Sequence, residues 1–272
     1  SQLASEESTL VGSAIKGGYP QITKDNIEKG EVILKVDGLT SIHENIFRNC
    51  SFELRKGEIL GFGGLVGAGR SELMEAIFGL RSVKSGKVYM KGKEQNIARP
   101  RDAIKDGLGM ITEDRRGTGI LGCLSIADNV AISSLNNYLV AGIALDDGKI
   151  KQVVDENVSK LSIKTPSNKT LIQSLSGGNQ QKVMIGRWLA TNPKILILDE
   201  PTRGIDVGAK SEIYRIMNDL VKQGVSIIMI SSELPEIINM SDRVYVMAAG
   251  TIRGCIDHEE ISQESIMALA AI

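Results

Sequence analysis

The stretch Gly64-Leu65-Val66-Gly67-Ala68-Gly69-Arg70-Ser71 constrains this chain more than any other. It follows the apolar run Glu58-Ile59-Leu60-Gly61-Phe62, and beyond it Leu73, Met74, Ile77 and Phe78 recur at helical spacing before Gly79. The order is therefore strand, glycine-rich loop, helix. It fits the phosphate loop G-x-x-x-x-G-K-[ST] except that Arg70 stands where lysine belongs. Gly64, Gly67 and Gly69 let backbone amides converge on a phosphate around Ala68, the following helix offers its positive end, and Ser71 brings a hydroxyl for Mg²⁺. Arginine keeps the charge but is bulkier, planar and forked, so it need not follow a terminal phosphate as a lysine ammonium does. The expectation is a loop that binds nucleotide and supports hydrolysis poorly.

Two short continuous apolar runs, Ile195-Leu196-Ile197-Leu198 and Ile227-Ile228-Met229-Ile230, have the form of parallel strands buried on both faces. Between them Ile213, Ile216, Met217, Leu220 and Val221 mark one amphipathic helix closed by Gly224. This βαβ crossover sets the fold class as α/β. Asp199, at the carboxyl end of the first run, is placed to hold Mg²⁺ directly or through water, and Glu200 to polarise an attacking water. Ahead of that strand, Leu175-Ser176-Gly177-Gly178-Asn179-Gln180-Gln181 leads into a helix that ends near Asn192-Pro193. Ser176 is expected to cap it, while Gly177 and Gly178 open backbone N–H groups to an anion.

Elsewhere, Ile33-Leu34-Lys35-Val36 and Ser51-Phe52-Glu53-Leu54 read as strands of an antiparallel layer, bounded by turns at Asp37-Gly38 and Lys56-Gly57. A hairpin is expected over Arg243 to Ile252 and a terminal helix over Glu259 to Ile272. Residues 1–30 read as a linker, residues 31–272 as one domain, and about 115–182, which lacks strand runs, as a mostly helical insertion. Lys+Arg 32 against Asp+Glu 33 leaves a net charge of -1, which argues against a nucleic-acid partner. Cys50, Cys123 and Cys255 have neither disulfide-framework nor zinc spacing and read as structural, reduced thiols. No stretch reaches the length of a membrane span, so any work at a membrane is by docking.

LSGG-x-Q between a phosphate loop and an apolar strand ending Asp-Glu is the signature of ATP-binding cassettes, and the chain resembles that family over nearly all of its length after the linker. In detail it resembles the second cassette of the fused ATPases that energise ribose, galactose, xylose and arabinose importers. The stretches that carry this are Gly67 to Leu73 with Glu72, Ile111-Thr112-Glu113-Asp114-Arg115-Arg116, LSGGNQQKV over Leu175 to Val183, and DEPTRGIDVGAK over Asp199 to Lys210. Leu10-Val11-Gly12 and Tyr19-Pro20 resemble the segment joining the two cassettes.

The resemblance implies a RecA-like, mostly parallel sheet with an antiparallel layer and a helical subdomain, and ATP with Mg²⁺ as ligands. In that family two cassettes dimerise head to tail, each ATP lying between one phosphate loop and the other signature. Ser176, Gly177, Gly178 and Gln180 would then complete the site of the N-terminal cassette of the same polypeptide. The opposite site departs from the family pattern at Arg70, at Glu113 in place of the Q-loop glutamine, and at Ser232 in place of the switch histidine, although Glu200 is retained. The implied partners are transmembrane permease subunits and, indirectly, a periplasmic or extracellular sugar-binding protein, with the chain peripheral on the cytoplasmic face of a bacterial membrane. Gly204-Ile205-Asp206 would be the D-loop, and the helical insertion would offer a groove to a permease coupling helix. No aromatic is identified for the adenine: His43 and His258 read as exposed and Trp188 as core. Two readings stay open beside this one, a non-hydrolysing nucleotide-binding and dimerisation module and a non-transport cassette ATPase. For the second, neither heptads nor a basic excess is present. Taken alone, the chain is expected to be a monomer or weak dimer with little ATPase activity.

Overall fold

In the computed structural model the described residues are 15–16, 19–20, 29–43, 45–140 and 143–271. Leu10-Val11-Gly12 lies outside them. Two short strands, β1 (Ile15–Lys16) and β2 (Tyr19–Pro20), pair antiparallel.

The alternating segments form a four-stranded antiparallel sheet in the order β4-β3-β6-β7: β3 (Val32–Ser41), β4 (Cys50–Arg55), β6 (Val83–Met90) and β7 (Lys93–Gln95). Cys50, Phe52 and Leu54 point inward from β4 while its intervening residues are solvated to differing degrees, as a strand with one covered face requires. Asp37-Gly38 does not end β3 as expected. The register shifts between Val36 and Leu39, so the pair is absorbed as an irregularity within a continuing strand.

The continuous apolar runs form a second sheet in the order β14-β13-β5-β12-β11-β8. Its strands β5 (Ile59–Gly64), β8 (Leu108–Ile111), β11 (Ile195–Asp199), β12 (Ser226–Ile230) and β13 (Arg243–Ala248) are parallel, and β14 (Thr251–Asp257) closes one edge antiparallel to β13. Strand alternation sends the residues of one run to opposite cores. Leu196, Leu198, Ile227 and Met229 join the core beneath the helical side, whereas Ile195, Ile197, Ile228 and Ile230 join the core shared with the antiparallel sheet. β8 was not anticipated: four residues including Gly109 are too few for a period to show.

The helices are α1 (Arg70–Ile77), α2 (Pro100–Lys105), α3 (Ile126–Ala131), α4 (Asp147–Lys160), α5 (Gly177–Leu189), α6 (Val207–Lys222), α7 (Leu234–Met240) and α8 (Gln263–Ala270). The terminal helix is shorter than expected because a tight turn occupies His258–Glu260 and Ser262 caps the helix only afterwards. Among its described residues the segment between β8 and α5 is mainly helical, with one two-residue ladder of β9 (Leu139–Val140) and β10 (Ala144–Leu145). Buried Arg187 ties it to the sheet side: its guanidinium donates to the carbonyls of Gly119 (2.5 Å) and Asn129 (2.7 Å) and to Asn129 Oδ1 (2.6 Å). Lys182, 2% exposed, joins α5 to α6 through Glu212 at 2.5 Å.

Candidate nucleotide site

β5 delivers the chain to the carboxyl edge of the parallel sheet, where α1 departs. Gly69 turns the corner at φ 91°, and a Cβ there would lie 2.3 Å from the Ile46 carbonyl oxygen, so no other residue fits. Leu73 N–H is bonded back to the Gly69 carbonyl at 3.0 Å, and the amides of Arg70, Ser71 and Glu72 before it have no acceptor within the helix. These amides, with the dipole of α1, form an anion-binding end.

Gly67, Ala68, Gly69, Arg70, Ser71 and Glu72 line a cavity of about 450 Å³, and Glu113, Glu200 and Ser232 line it with them. The phosphate loop, the Q-loop position, the acidic strand end and the switch position are thus brought together from four separate stretches of sequence. Two further lining residues, Arg203 and Glu233, were missed by the sequence reading. Arg203 forms an ion pair with Glu113, which ties the Q-loop position to the turn after β11.

Arg70 is 6% exposed and closes on the protein itself. Its Nη1 donates to the Ser231 carbonyl at 2.8 Å and to the Phe62 carbonyl at 3.4 Å. Burial holds its pKa below the usual guanidinium range, opposed by Glu200, Asp199 and Glu72. Glu200 sits at φ 50° with its N–H on the Ile230 carbonyl (2.9 Å), and its carboxylate accepts from the Ser232 N–H at 2.7 Å and from the Ser232 hydroxyl. Burial raises its pKa. Ser232 therefore holds the carboxylate rather than standing apart as a phosphate contact.

Asp199 is 2% exposed and burial pushes its pKa up to about 7, while a hydrogen bond from Ser71 works the other way. Its Oδ1 is buried without a hydrogen-bond partner. A lone carboxylate oxygen beside a hydroxyl, at an anion-binding helix end, is a donor set suited to a hard divalent cation. Asp199 and Ser71 fit Mg²⁺.

Behind this wall lies a buried carboxylate that no sequence motif pointed to. Glu236, 1% exposed, accepts from the hydroxyls of Thr202, Tyr214 (2.7 Å) and Ser231 (2.7 Å), with Lys210 Nζ at 3.5 Å. It fastens the ends of β11 and β12 to each other and so fixes the turn that carries Ser231 and Ser232.

The signature residues are not among those lining the cavity. Ser176 occupies the N-cap position of α5 with extended backbone, but its hydroxyl makes no capping bond, contrary to expectation; it accepts instead from Asn179 Nδ2 at 3.0 Å. Gly178 lets α5 approach α6 closely, since a Cβ would fall 2.4 Å from the Ala209 Cβ. Gln180, 4% exposed, faces inward and donates to the carbonyls of Leu175 (3.1 Å) and Ile172 (3.3 Å), bracing the loop from below. His43 is exposed, and so is His258, whose Nδ1 lies 3.1 Å from the Ser241 carbonyl. Trp188, partly buried, packs edge-on against Phe78 at 5.5 Å and against the edge of the core. Cys50 is buried, whereas Cys123 and Cys255 are exposed.

Comparison with known proteins agrees with this geometry. The family model described as ABC transporter matches residues 47–203. The galactose/methyl galactoside import ATP-binding protein MglA of Clostridium tetani is 51% identical over 263 residues, covering 97% of this chain and 52% of the relative. The ribose import ATP-binding protein RbsA 1 of Rubrobacter xylanophilus is 48% identical over 261 residues, covering 96% and 51%. The chain spans about half the length of the curated relatives it matches. Among solved structures, a nucleotide-free ATP-binding cassette from an ABC transporter superposes with TM-score 0.75 at 22% identity, covering 88% of this chain and 96% of that one. The ADP conformation of another such cassette gives 0.76 at 23%, covering 89% and 99%. At these identities the likeness concerns the fold.

Proposed function

This chain belongs to the ABC transporter family of ATP-binding domains, and from that premise we propose that it is the C-terminal cassette of a fused two-cassette ATPase that energises import of a sugar. In this reading residues 1–30 join it to the N-terminal cassette, 31–272 form the ATPase domain, and it works peripherally on the cytoplasmic face of a bacterial membrane with permease subunits and, through them, a sugar-binding protein. The similarity to galactose and ribose import ATP-binding proteins supports the sugar. The lack, among the described residues, of any helix long and apolar enough to cross a membrane is consistent with docking.

The two nucleotide-facing surfaces then serve different sites. On its own phosphate loop this chain binds ATP with the amides of Gly67 to Ser71, and Ser71 with Asp199 would hold Mg²⁺, which would supply charge neutralisation at the terminal phosphates. Hydrolysis there is weak or absent. The observation that carries this is Arg70, whose guanidinium is closed onto the Ser231 and Phe62 carbonyls, while Glu200 is held by Ser232. The signature, Ser176 with Gly177 and Gly178, completes the ATP site of the N-terminal cassette. That same Arg70 closure favours a second reading for this half alone, a nucleotide-binding and dimerisation module that does not hydrolyse.

A groove of about 480 Å³ supports the permease partner. It is walled by Phe78, Leu80, Thr118, Met184, Arg187 and Trp188, where the helical insertion meets the parallel sheet, and would receive an apolar helical segment of a membrane subunit.

The test uses the intact two-cassette protein. Ser176→Arg is expected to lower ATP turnover by more than about 100-fold, because a bulky cation blocks the terminal phosphate of the other site, whereas Glu200→Gln leaves turnover within about threefold. The reverse pattern would mean that this half carries the hydrolysis.

A further inference from the structure

Arg115 lies at the start of the wide helical turn Arg115–Gly119, outside the residues that line the nucleotide cavity. Its Nη1 makes a long bond of 3.4 Å to the Arg203 carbonyl. Its Nη2 lies 3.1 Å from the point a Cβ on Gly177 would occupy, with the Gly204 carbonyl oxygen and Ile205 Cγ2 each 3.3 Å from that point. The guanidinium, the signature turn and the D-loop therefore meet at one place.

Among the described residues no carboxylate answers this charge. Nε is buried without a hydrogen-bond partner. Burial holds the Arg115 pKa down, and Arg116 lowers it further, with no acidic side chain opposing them. The nearby acids are engaged elsewhere: Glu113 pairs with Arg203, and Asp114 accepts from the Gly117 N–H at 2.9 Å. A cation at the positive end of a helix is electrostatically misplaced. A partly desolvated guanidinium with one weak carbonyl bond lacks the partners that normally offset its burial. An anion arriving between α5 and the D-loop would supply them.

We propose that Arg115 is a further phosphate-binding residue of the signature face, contacting the terminal phosphate of the nucleotide held on the N-terminal cassette's phosphate loop. The proposal rests on the reading that the signature completes that site. The fork of donors on a guanidinium suits the non-bridging oxygens of a phosphate, and a side chain at Gly177 would crowd the same space.

The experiment measures ATP hydrolysis against Mg–ATP concentration for the intact two-cassette protein and for Arg115→Met, Arg115→Lys and Ser176→Arg. Thermal melting of each variant is followed alongside. Losing a charge-assisted contact to phosphate is expected to cut kcat/KM roughly 10- to 100-fold in Arg115→Met, with an unchanged or higher melting temperature because an unpaired charge has been removed. Arg115→Lys should fall between it and the parent. If Ser176→Arg is inactive while Arg115→Met matches the parent, the role of Arg115 is overturned and the two-site reading stands. If Ser176→Arg remains active, the two-site reading fails and this proposal fails with it. If Lys is as poor as Met, the forked guanidinium and not charge alone makes the contact, which supports the proposal. Should the Met variant not fold, the Lys variant carries the test: a KM raised severalfold with unaltered melting supports the contact, and an unchanged KM overturns it.

Discussion

The phosphate-loop face and the signature face of this molecule treat their polar groups in opposite ways. On the first, the groups that would meet a nucleotide are already answered by the protein: Arg70 by two carbonyls, Glu200 by Ser232, Glu113 by Arg203. Among the buried side-chain atoms of the described residues on this face, the Oδ1 of Asp199 is left without a partner. On the second, Ser176 makes no cap bond and Arg115 keeps a buried, unpartnered nitrogen. A face that satisfies itself can hold a ligand by shape and by its helix end, but gains little new bonding as charge develops on a leaving phosphate. A face that leaves donors unanswered gains most when charge arrives.

The largest effect expected from breaking this contrast comes from the buried carboxylate of Asp199 on the phosphate-loop face. Asp199 has a folded-state pKa of about 7 against an unperturbed 3.8. Because the fold raises it, the protonated form is favoured; the penalty for ionisation is absent below about pH 3.8, grows as pH rises toward 7, and is complete above that. Three pKa units correspond to about 4 kcal/mol as an upper bound. Asp199→Asn should therefore stabilise the nucleotide- and metal-free chain by roughly 2–4 kcal/mol at pH 8 and by almost nothing near pH 4. Denaturant midpoints at the two pH values decide it. Equal gains at both would mean that the carboxylate is not the source of strain.

A smaller effect is expected where the same face is already satisfied. Arg70→Met removes the donor to the Ser231 carbonyl and loosens the turn whose Ser232 N–H holds Glu200. A loss of about 1–3 kcal/mol follows from leaving a buried acceptor unpaired, with Arg70→Lys near the lower end because an ammonium can still donate once. If Lys instead stabilised the chain and raised turnover by this cassette, Arg70 would be a displaced phosphate ligand and not a strut.

How much of this contrast was legible beforehand differs between its parts. The phosphate loop, the strand ending Asp199-Glu200 and the βαβ crossover were readable because each is written in consecutive residues with a period or a glycine pattern. β8 was not, since Leu108-Gly109-Met110-Ile111 has neither length nor alternation. The Arg70 substitution was visible, but its consequence was not: its carbonyl partner Ser231 lies 161 residues away, and only the parallel pairing of β5 with β12 brings the two together. Glu236 and Arg203 escaped for the same reason. Each sits in a sequence context that reads as an ordinary polar helix or turn residue, and each acquires its role from strands that meet side by side in the sheet.

The smallest expected change tests the signature face by its indifference. A serine at an N-cap ordinarily contributes about 1 kcal/mol through its bond to an amide of the first turn. Ser125, at the start of α3, does this: its hydroxyl accepts from the Asp128 N–H at 3.1 Å. Ser176 has the same backbone position and makes no such bond; its contact with Asn179 is exposed. Ser125→Ala should therefore lower stability by about 1 kcal/mol, and Ser176→Ala by less than about 0.5 kcal/mol, in the same denaturant titration. A matching loss at both positions would place Ser176 among ordinary caps. A silent Ser176→Ala would instead leave its hydroxyl with no part in holding α5 together, free to meet a ligand that comes from outside the chain.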